Sequence, residues 1–206
     1  MNPARLDATE LVRWLDTGGI VVDMRGSAKF AAEHVPGTLN IPFGNSFTNW
    51  AGSLLPYDRD VALLGDDRAH VGRGLRALML IGLDRVTAYG DAALRAEWRA
   101  SGRALESTTA FGVDDIEGRS GLTVIDVRGD AEWKEGHIPG AKHLFLGELE
   151  TTANDLPRDT PIVAVCGGGT RSAIAVSLLR RKGFTDVHNF PGGFDLWKRA
   201  GKPVEK

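Results

Sequence analysis

The chain has 206 residues, of which 42% are hydrophobic and 25% are charged, and its formal net charge is −2. That length suits one large domain or two of about 100 residues, and the composition is typical of a folded globular protein. The small net charge gives no reason to expect nucleic acid or an anionic membrane as a partner. No apolar run approaches the length of a membrane span, and no apolar signal region follows Met1. The single cysteine can form no disulfide within the chain, so the sequence predicts a cytoplasmic protein.

The first hundred residues alternate between helical and strand-like patterns. Strands are predicted at 20–22, 39–41, 61–64 and 86–89, and helices at 9–16, 72–81 and 94–100. The aromatic segment at 43–56 is expected to be a loop. In the second half, strands are predicted at 162–165 and 186–190, each followed by a helix. This alternation favours an α/β fold with a mostly parallel central sheet and helices on both faces.

A pattern in the first half recurs in the second at a constant offset of 103 residues. Asp23 and Arg25 recur as Asp126 and Arg128, and the aromatic, His, Pro and Gly positions that follow keep the same spacing. A period this long indicates a duplicated domain rather than a short structural repeat. The sequence therefore predicts two α/β domains, at residues 1–103 and 107–206.

The strand at 162–165 leads directly into Cys166, a run of three glycines and then a helix. A thiol ahead of a helix N-terminus lies near unpaired backbone N–H groups and the positive end of the helix dipole, which favour the thiolate. The glycines allow successive N–H groups to face one centre, and Arg171 adds a fixed positive charge. A lone cysteine is more often a small buried hydrophobic residue. A core cysteine needs neither three glycines nor an arginine, so we favour a reactive thiol.

Several motifs of the second half together resemble the rhodanese (thiosulfate sulfurtransferase) family. They are Asp126-Val127-Arg128, Trp133, Gly136-His137-Ile138-Pro139-Gly140-Ala141, Cys166-Gly167-Gly168-Gly169-Thr170-Arg171-Ser172 and Pro191-Gly192-Gly193-Phe194. With the weaker copy in the first half, the resemblance covers nearly the whole chain as two tandem rhodanese-like domains.

The resemblance implies a sulfurtransferase. Cys166 would take a sulfane sulfur from thiosulfate or a low-molecular-weight persulfide, and would then pass it to cyanide or a thiol acceptor. The residues implied to bind the substrate are Gly167, Gly168, Gly169, Thr170, Arg171 and Ser172. Within that set, Arg171 would close the loop and bind the anionic end of the donor. Asp126 and Arg128 are expected to brace the loop, and His137 is expected to pack a turn rather than act as a base. No cofactor is implied, and no metal-ligand spacing is present in the sequence.

The first copy departs from the pattern at the cysteine. Counting back from the glycine that ends each central helix places Gly65 opposite Cys166 and His70 opposite Arg171. Asp66 and Asp67 bring carboxylates to the loop, where they would repel an anionic persulfide. We therefore expect the domain at 1–103 to be inactive.

A narrower resemblance concerns residues 42–52. This segment is similar to one in the rhodanese portion of bacterial proteins that fuse a metallo-β-lactamase-fold persulfide dioxygenase to tandem rhodanese domains. The iron-dependent half has no counterpart in this sequence. The resemblance implies sulfide or persulfide metabolism and a separate persulfide dioxygenase as a partner.

Two other functions fit the same architecture. Dual-specificity phosphatases and arsenate reductases also use a Cys-to-Arg loop, but four residues separate Cys166 from Arg171, one fewer than in the phosphatase pattern. The shorter loop suits a single sulfur atom better than a tetrahedral phosphate. The second alternative is a non-catalytic sulfur-carrier or docking module.

Overall fold

The structure is a computed structural model that describes residues 2–206, and the chain divides into two compact units between Ser107 and Thr108. The sequence predicts that the first domain ends at 103 and that the second begins at 107. The segment after 103 belongs to the first unit because His34 and Glu106 exchange backbone hydrogen bonds of 2.8 and 2.9 Å. Trp98 adds a hydrogen bond of 2.9 Å from its Nε1 to the carbonyl oxygen of Ala104.

The first unit contains a parallel sheet with the strand order β1-β5-β4-β2-β3. Its described elements, in chain order, are β1 (Ala4–Arg5), α1 (Ala8–Asp16), β2 (Ile20–Asp23), α2 (Ser27–Ala32), β3 (Leu39–Asn40), α3 (Phe47–Leu54), β4 (Val61–Leu64), α4 (Arg68–Met79), β5 (Val86–Gly90) and α5 (Ala92–Ala100).

The second unit contains a parallel sheet with the order β7-β6-β8-β9. Its described elements are α6 (Val113–Ile116), β6 (Thr123–Asp126), α7 (Asp130–Glu135), β7 (Lys142–His143), α8 (Leu149–Thr152), β8 (Ile162–Val165), α9 (Thr170–Arg181), β9 (Val187–Asn189) and α10 (Gly193–Arg199). Short 3-10 turns at Leu146–Glu148 and Ala153–Asp155 flank α8.

The central strand β4 shows how each sheet is covered on both faces. Successive side chains of a strand point to opposite faces. Ala62 and Leu64 pack into the cluster that contains residues of α1 and α5. Leu63 points the other way, toward Gly74 of α4, where a Cβ atom would lie 3.6 Å from the Leu63 side chain. The predicted α/β fold, with two parallel sheets flanked by helices, is confirmed.

The segment at 43–56 was predicted to be a loop, but residues 47–54 form α3. Phe47 and Ala51, one helical turn apart, are buried on the same face of this helix. Ser46 stands at the N-cap, but its side chain makes no capping hydrogen bond. Burial of Phe47 and Ala51 against the first unit therefore contributes to the stability of this helix.

Among residues 2–206, no helix combines the length and the apolar character needed to cross a lipid bilayer.

Candidate active site

Cys166 follows β8 directly and precedes α9 by the three glycines at 167–169. In the parallel sheet of the second unit, this position is the carboxyl edge, where binding sites of α/β folds collect. Gly169 caps α9 with a φ of +98°, a left-handed conformation that side chains other than glycine adopt at a cost. A Cβ atom at Gly169 would also lie 2.9 Å from the backbone nitrogen of Gly192, so the loop can only be this tight with glycine here.

Cys166 is buried, with 1% of the residue exposed. The backbone N–H of Gly169 donates to Sγ at 3.1 Å, and the Ser172 hydroxyl lies 3.4 Å from it. Hydrogen bonds to Glu132 raise the pKa of Arg171 above its usual value, partial burial opposes this rise, and a negative charge on Cys166 adds to it. Sγ therefore faces a backbone donor and a hydroxyl, and it lies within the electrostatic range of the Arg171 cation.

A cavity of about 440 Å³ opens against the outer side of the loop. Gly167, Gly168 and Arg171 line it from the loop, and Arg128 and Phe194 line it from the neighbouring elements. Thr170 is exposed at the first position of α9. The resemblance implies that the whole run 167–172 binds the substrate, whereas the structure gives its members different surroundings. Gly169 and Ser172 contact the sulfur, while Gly167 and Gly168 form the cavity wall.

Arg171 is engaged by Glu132 of α7. The two nitrogens of the guanidinium fork donate to the two carboxylate oxygens at 2.5 and 2.7 Å. The hydrogen bond from Arg171 is the largest influence that lowers the pKa of Glu132, while partial burial opposes it. The resemblance implies that Arg171 binds the anionic end of the donor, and it gives no role to Glu132. The only signal for this partner is that a half-buried arginine requires a counter-charge.

The N-terminus of α10 holds the backbone of the cysteine loop. The backbone N–H of Phe194 donates to the carbonyl oxygen of Cys166 at 2.7 Å, and that of Asp195 donates to the carbonyl oxygen of Gly167 at 3.1 Å. Gly193 allows this approach, because a Cβ atom there would lie 2.1 Å from the carbonyl oxygen of Cys166. The sequence motif at 191–194 carries the resemblance to the family but does not by itself predict these contacts.

Asp126 and Arg128 form a buried pair at the end of β6. The Arg128 Nε donates to both Asp126 oxygens at 2.9 Å, and Nη2 donates to the carbonyl oxygen of Gly136 at 2.7 Å. The guanidinium carbon also lies 4.2 Å from the ring centroid of Phe194. The backbone N–H of Phe194 in turn donates to the carbonyl oxygen of Cys166, so this ring lies between the pair and the cysteine loop. The bracing role expected from the sequence remains a prediction that this geometry supports.

His137 lies away from the sulfur, in the turn that follows α7. Its ring stacks on Trp133 with centroids 3.5 Å apart. Its backbone exchanges hydrogen bonds of 2.9 and 3.0 Å with Glu205. These contacts agree with the turn-packing role expected from the sequence.

The first unit carries a different loop at the corresponding position. Strand register aligns the two halves, because Asp23 pairs with Leu64 as Asp126 pairs with Val165, so Gly65 takes the place of Cys166. A Cβ atom at Gly65 would lie 3.0 Å from the Val71 side chain. The space that holds a thiol in the second unit is therefore filled in the first.

The two carboxylates of that first-unit loop are already engaged. Asp67 accepts from the backbone N–H of His70 at 2.6 Å and caps α4. Asp66 pairs with Lys29 at 2.9 Å, and this contact is the largest cause of the lowered pKa of Asp66. The carboxylates thus serve the local structure of the loop, in addition to the repulsion of anions that the sequence analysis expected of them.

Within residues 2–206, no group of three or more His, Cys, Asp or Glu side chains is placed to hold a metal ion.

The fold and the loop define a class: a parallel α/β domain in which a cysteine at the end of a central strand is enclosed by a glycine loop and a helix N-terminus. The rhodanese-like domain family matches this chain twice, at residues 7–91 and 113–200. The chain therefore belongs to the rhodanese-like domain family and contains two such domains.

Curated relatives match less than half of this chain. The thiosulfate sulfurtransferase GlpE of Pseudomonas putida (strain F1) is 35% identical over 91 residues, which is 44% of this chain and 82% of that protein. YrkF of Bacillus subtilis, a protein named for a proposed sulfur-carrier role, is 35% identical over 82 residues, and the match covers 40% of this chain and 44% of YrkF. A rhodanese-related protein from Thermoplasma volcanium, known as a crystal structure, is 31% identical and has a TM-score of 0.45. That match covers 47% of this chain and 97% of the other.

Proposed function

We propose that this chain is a sulfurtransferase in which Cys166 of the second domain carries one sulfur atom between a donor and an acceptor. The donor is thiosulfate or a low-molecular-weight persulfide, and the acceptor is cyanide or a thiol. The first domain takes no part in the chemistry, since it has glycine at the position of the thiol.

In the first step the Cys166 thiolate attacks the outer sulfur of the donor. A bond forms between Sγ and that sulfur, and the donor's own S–S bond breaks with its electron pair leaving on sulfite or on a thiolate. Cys166 becomes a persulfide and no net oxidation occurs. Since the new outer sulfur bears negative charge, N–H and cationic groups around the loop stabilise it.

In the second step the acceptor attacks the outer sulfur of the Cys166 persulfide. Cyanide becomes thiocyanate, or an acceptor thiolate becomes a persulfide, and the electron pair of the broken S–S bond returns to Cys166. The enzyme needs little proton transfer once the thiolate exists. This agrees with the position of His137, which stacks on Trp133.

The surroundings of Sγ are the observation that carries the proposal. The Gly169 N–H and the Ser172 hydroxyl lie within hydrogen-bond distance of the sulfur, at the N-terminus of the twelve-residue helix α9. A purely structural cysteine at the end of β8 would need neither the polar contacts nor the adjoining cavity. The thiosulfate sulfurtransferase name of the Pseudomonas relative supports the same activity.

Mass measurement of the intact protein tests this proposal. After incubation with thiosulfate or a thiol persulfide and removal of the excess, we expect the chain to gain one sulfur atom. Cyanide should remove it and yield thiocyanate. The Cys166→Ser variant, which keeps a similar shape and loses the nucleophile, should show no gain.

The other outcomes identify the alternatives. An unchanged mass with every donor would overturn the sulfurtransferase and favour a docking module. Sulfur that is gained but passed neither to cyanide nor to a thiol would favour a carrier. Hydrolysis of aryl phosphates in place of sulfur uptake would favour the phosphatase.

We place this chemistry in the cytoplasm, where a lone thiol stays reduced. The separate persulfide dioxygenase implied by the sequence resemblance would draw on the same pool of low-molecular-weight persulfides, and we propose it as a functional partner.

A further inference from the structure

At the entrance to the cysteine loop, the cation Arg171 is paired with a carboxylate, Glu132. Glu132 occupies both nitrogens of the Arg171 fork, and the two side chains are 42% and 24% exposed. We infer that Glu132 is a specificity-determining residue that disfavours dianionic donors such as thiosulfate and favours persulfides of thiols that carry an ammonium group. This inference rests on the proposed sulfurtransferase function.

The other cations that line the cavity also have carboxylate partners. Arg128 is paired with Asp126 at 2.6 Å, and Lys198 lies 3.5 Å from Asp195. Glu135 adds a further carboxylate to the lining. Cationic and anionic side chains therefore balance in the cavity, and a dianion that enters it loses hydration without meeting an unpaired positive charge.

Two carboxylates stand directly over the cysteine loop. A Cβ atom at Gly167 would lie 3.2 Å from Nη2 of Arg171, 3.7 Å from a carboxylate oxygen of Glu132 and 4.0 Å from one of Asp195. A donor whose outer sulfur approaches the loop past Gly167 must place its other end near these groups. Because the one cation among them is already paired with Glu132, a sulfonate end is repelled there and an ammonium group is attracted.

The first unit also has an ion pair next to its loop, but there the cation and the carboxylate are on opposite sides compared with the second unit. Lys29, which precedes Phe30 as Glu132 precedes Trp133, pairs with Asp66 of the loop at 2.9 Å. The unit without a thiol thus ties the corresponding helix, α2, to its own loop with the charges exchanged, although Asp66 stands at the position of Gly167 and not of Arg171. A structural tie alone is satisfied by either arrangement. The arrangement in the second unit instead pairs a carboxylate with the cation that follows the cysteine loop.

The favoured donor reacts by a balanced exchange. The Cys166 thiolate attacks the outer sulfur of a persulfide R–S–SH, a new S–S bond forms, and the bond between the two donor sulfurs breaks. The leaving thiolate R–S⁻ keeps that electron pair, and the proton stays on the transferred sulfur or passes to water. No oxidant or reductant is required.

The test compares three donors in the intact chain: thiosulfate, cysteine persulfide and 3-mercaptopropionate persulfide. The last two differ by the ammonium group, and the measured quantity is kcat/KM for sulfur uptake by Cys166. Each donor is compared with itself in the Glu132→Gln variant, so intrinsic donor reactivity cancels. We expect the variant to raise the thiosulfate value roughly tenfold and the 3-mercaptopropionate persulfide value less. The value for cysteine persulfide should stay the same or fall.

Glu135→Gln is the matched control, because it removes the same charge from the same cavity without touching Arg171. We expect it to change the thiosulfate value by less than about threefold. An equal rise in both variants would show a general field effect and overturn the assignment to Glu132. A Glu132→Gln variant that loses activity equally with all donors would mean that Glu132 only positions Arg171, and this too would overturn it.

A measurement on the unmodified chain keeps the inference testable should Glu132→Gln fail to fold. Between low and high salt (about 0.05 to 0.5 M), kcat/KM for thiosulfate should stay level or rise, because screening weakens repulsion by the carboxylates. A steep fall would reveal an unpaired cation at the entrance and overturn the inference. Absence of sulfur uptake from every donor would instead overturn the proposed function itself.

Discussion

Glu132 and Arg171 are joined by a short, two-pronged ion pair, and each changes the proton affinity of the other. Arg171 lowers the pKa of Glu132 from its ordinary value of 4.5. A carboxyl group whose pKa is lower in the folded than in the unfolded chain contributes stability above its unfolded value. That stability disappears as the pH falls through the lower, folded value.

This linkage predicts how the stability of the Glu132→Gln variant compares with that of the parent chain. Above about pH 5 the parent should be more stable, by at most about 1 kcal/mol because both side chains are partly exposed. As the pH falls through the lowered pKa of Glu132 in the folded chain, the two proteins should converge, since protonation of Glu132 removes the difference. Urea unfolding followed by circular dichroism at several pH values measures this. If the difference in unfolding free energy between the two proteins stays constant down to the lowest pH, the charge of Glu132 does not cause it.

The cysteine loop and the N-terminus of α10 behave as one structural element. Backbone N–H groups of Phe194 and Asp195 hold two loop carbonyls, and Gly193 lies between them and Cys166 with a φ of +52°. The position of the thiol therefore depends on a close approach of two backbones that no side chain can enter.

Gly193→Ala tests this dependence. The added methyl group would meet the Cys166 carbonyl oxygen at 2.1 Å, so we expect a loss of about 3 kcal/mol or more in unfolding free energy. Gly201→Ala is the matched control, because Gly201 has a φ of +69° and no atom within 4 Å of the added group. Its cost should be about 1 kcal/mol, from backbone strain alone. Equal costs for the two variants would show that the loop can yield to the methyl group.

At the scale of the elements, the sequence predicts features made of adjacent residues, and it does not predict features that depend on residues far apart in the chain. The strands β4 and β8 were placed at their observed bounds, since short apolar runs followed by glycine carry a strong local signal. Two-residue edge strands such as β1 exist only through pairing with a distant neighbour, so no local pattern reveals them. The Cys166 loop was predictable for the first reason, because its members are adjacent. The ion pair between Glu132 and Arg171 spans 39 positions and was not.

The two units share one fold but differ at the carboxyl edge of the sheet, in the group that donates to the carbonyl oxygen of the residue after the central strand. In the second unit the carbonyl of the residue after the central strand accepts from the Phe194 N–H. In the first unit the corresponding Gly65 carbonyl accepts instead from the buried Arg95 guanidinium at 3.0 Å. Burial lowers the pKa of Arg95, and the neighbouring Arg25 contributes to this. The first unit has thus replaced a backbone contact that frames a thiol with a buried side-chain cation.

This divergence predicts that moving the thiol to the first unit does not move the activity. In the double variant Gly65→Cys, Cys166→Ser, the new side chain would begin 3.0 Å from Val71 and 3.3 Å from the carbonyl oxygen of Asp67. It would also face a loop whose carboxylates oppose a negative sulfur. We expect sulfur uptake at least about a hundredfold slower than in the parent chain, because Val71 and His70 stand where the second unit has the Ser172 hydroxyl and Arg171.

Adding Val71→Ser to this double variant separates crowding from electrostatics. Ser172 occupies the position of Val71 in the second unit, so the triple variant restores both the space and a hydroxyl next to the new sulfur. If lack of room alone makes the first unit inactive, the triple variant should take up sulfur at nearly the parent rate. Intact-mass analysis after incubation with thiol persulfide measures this uptake. We expect it to remain low, because the loop still carries Asp66 where the second unit has Gly167, and His70 where it has Arg171. Recovery of uptake would show that the first unit retains a working cradle and lacks only the thiol.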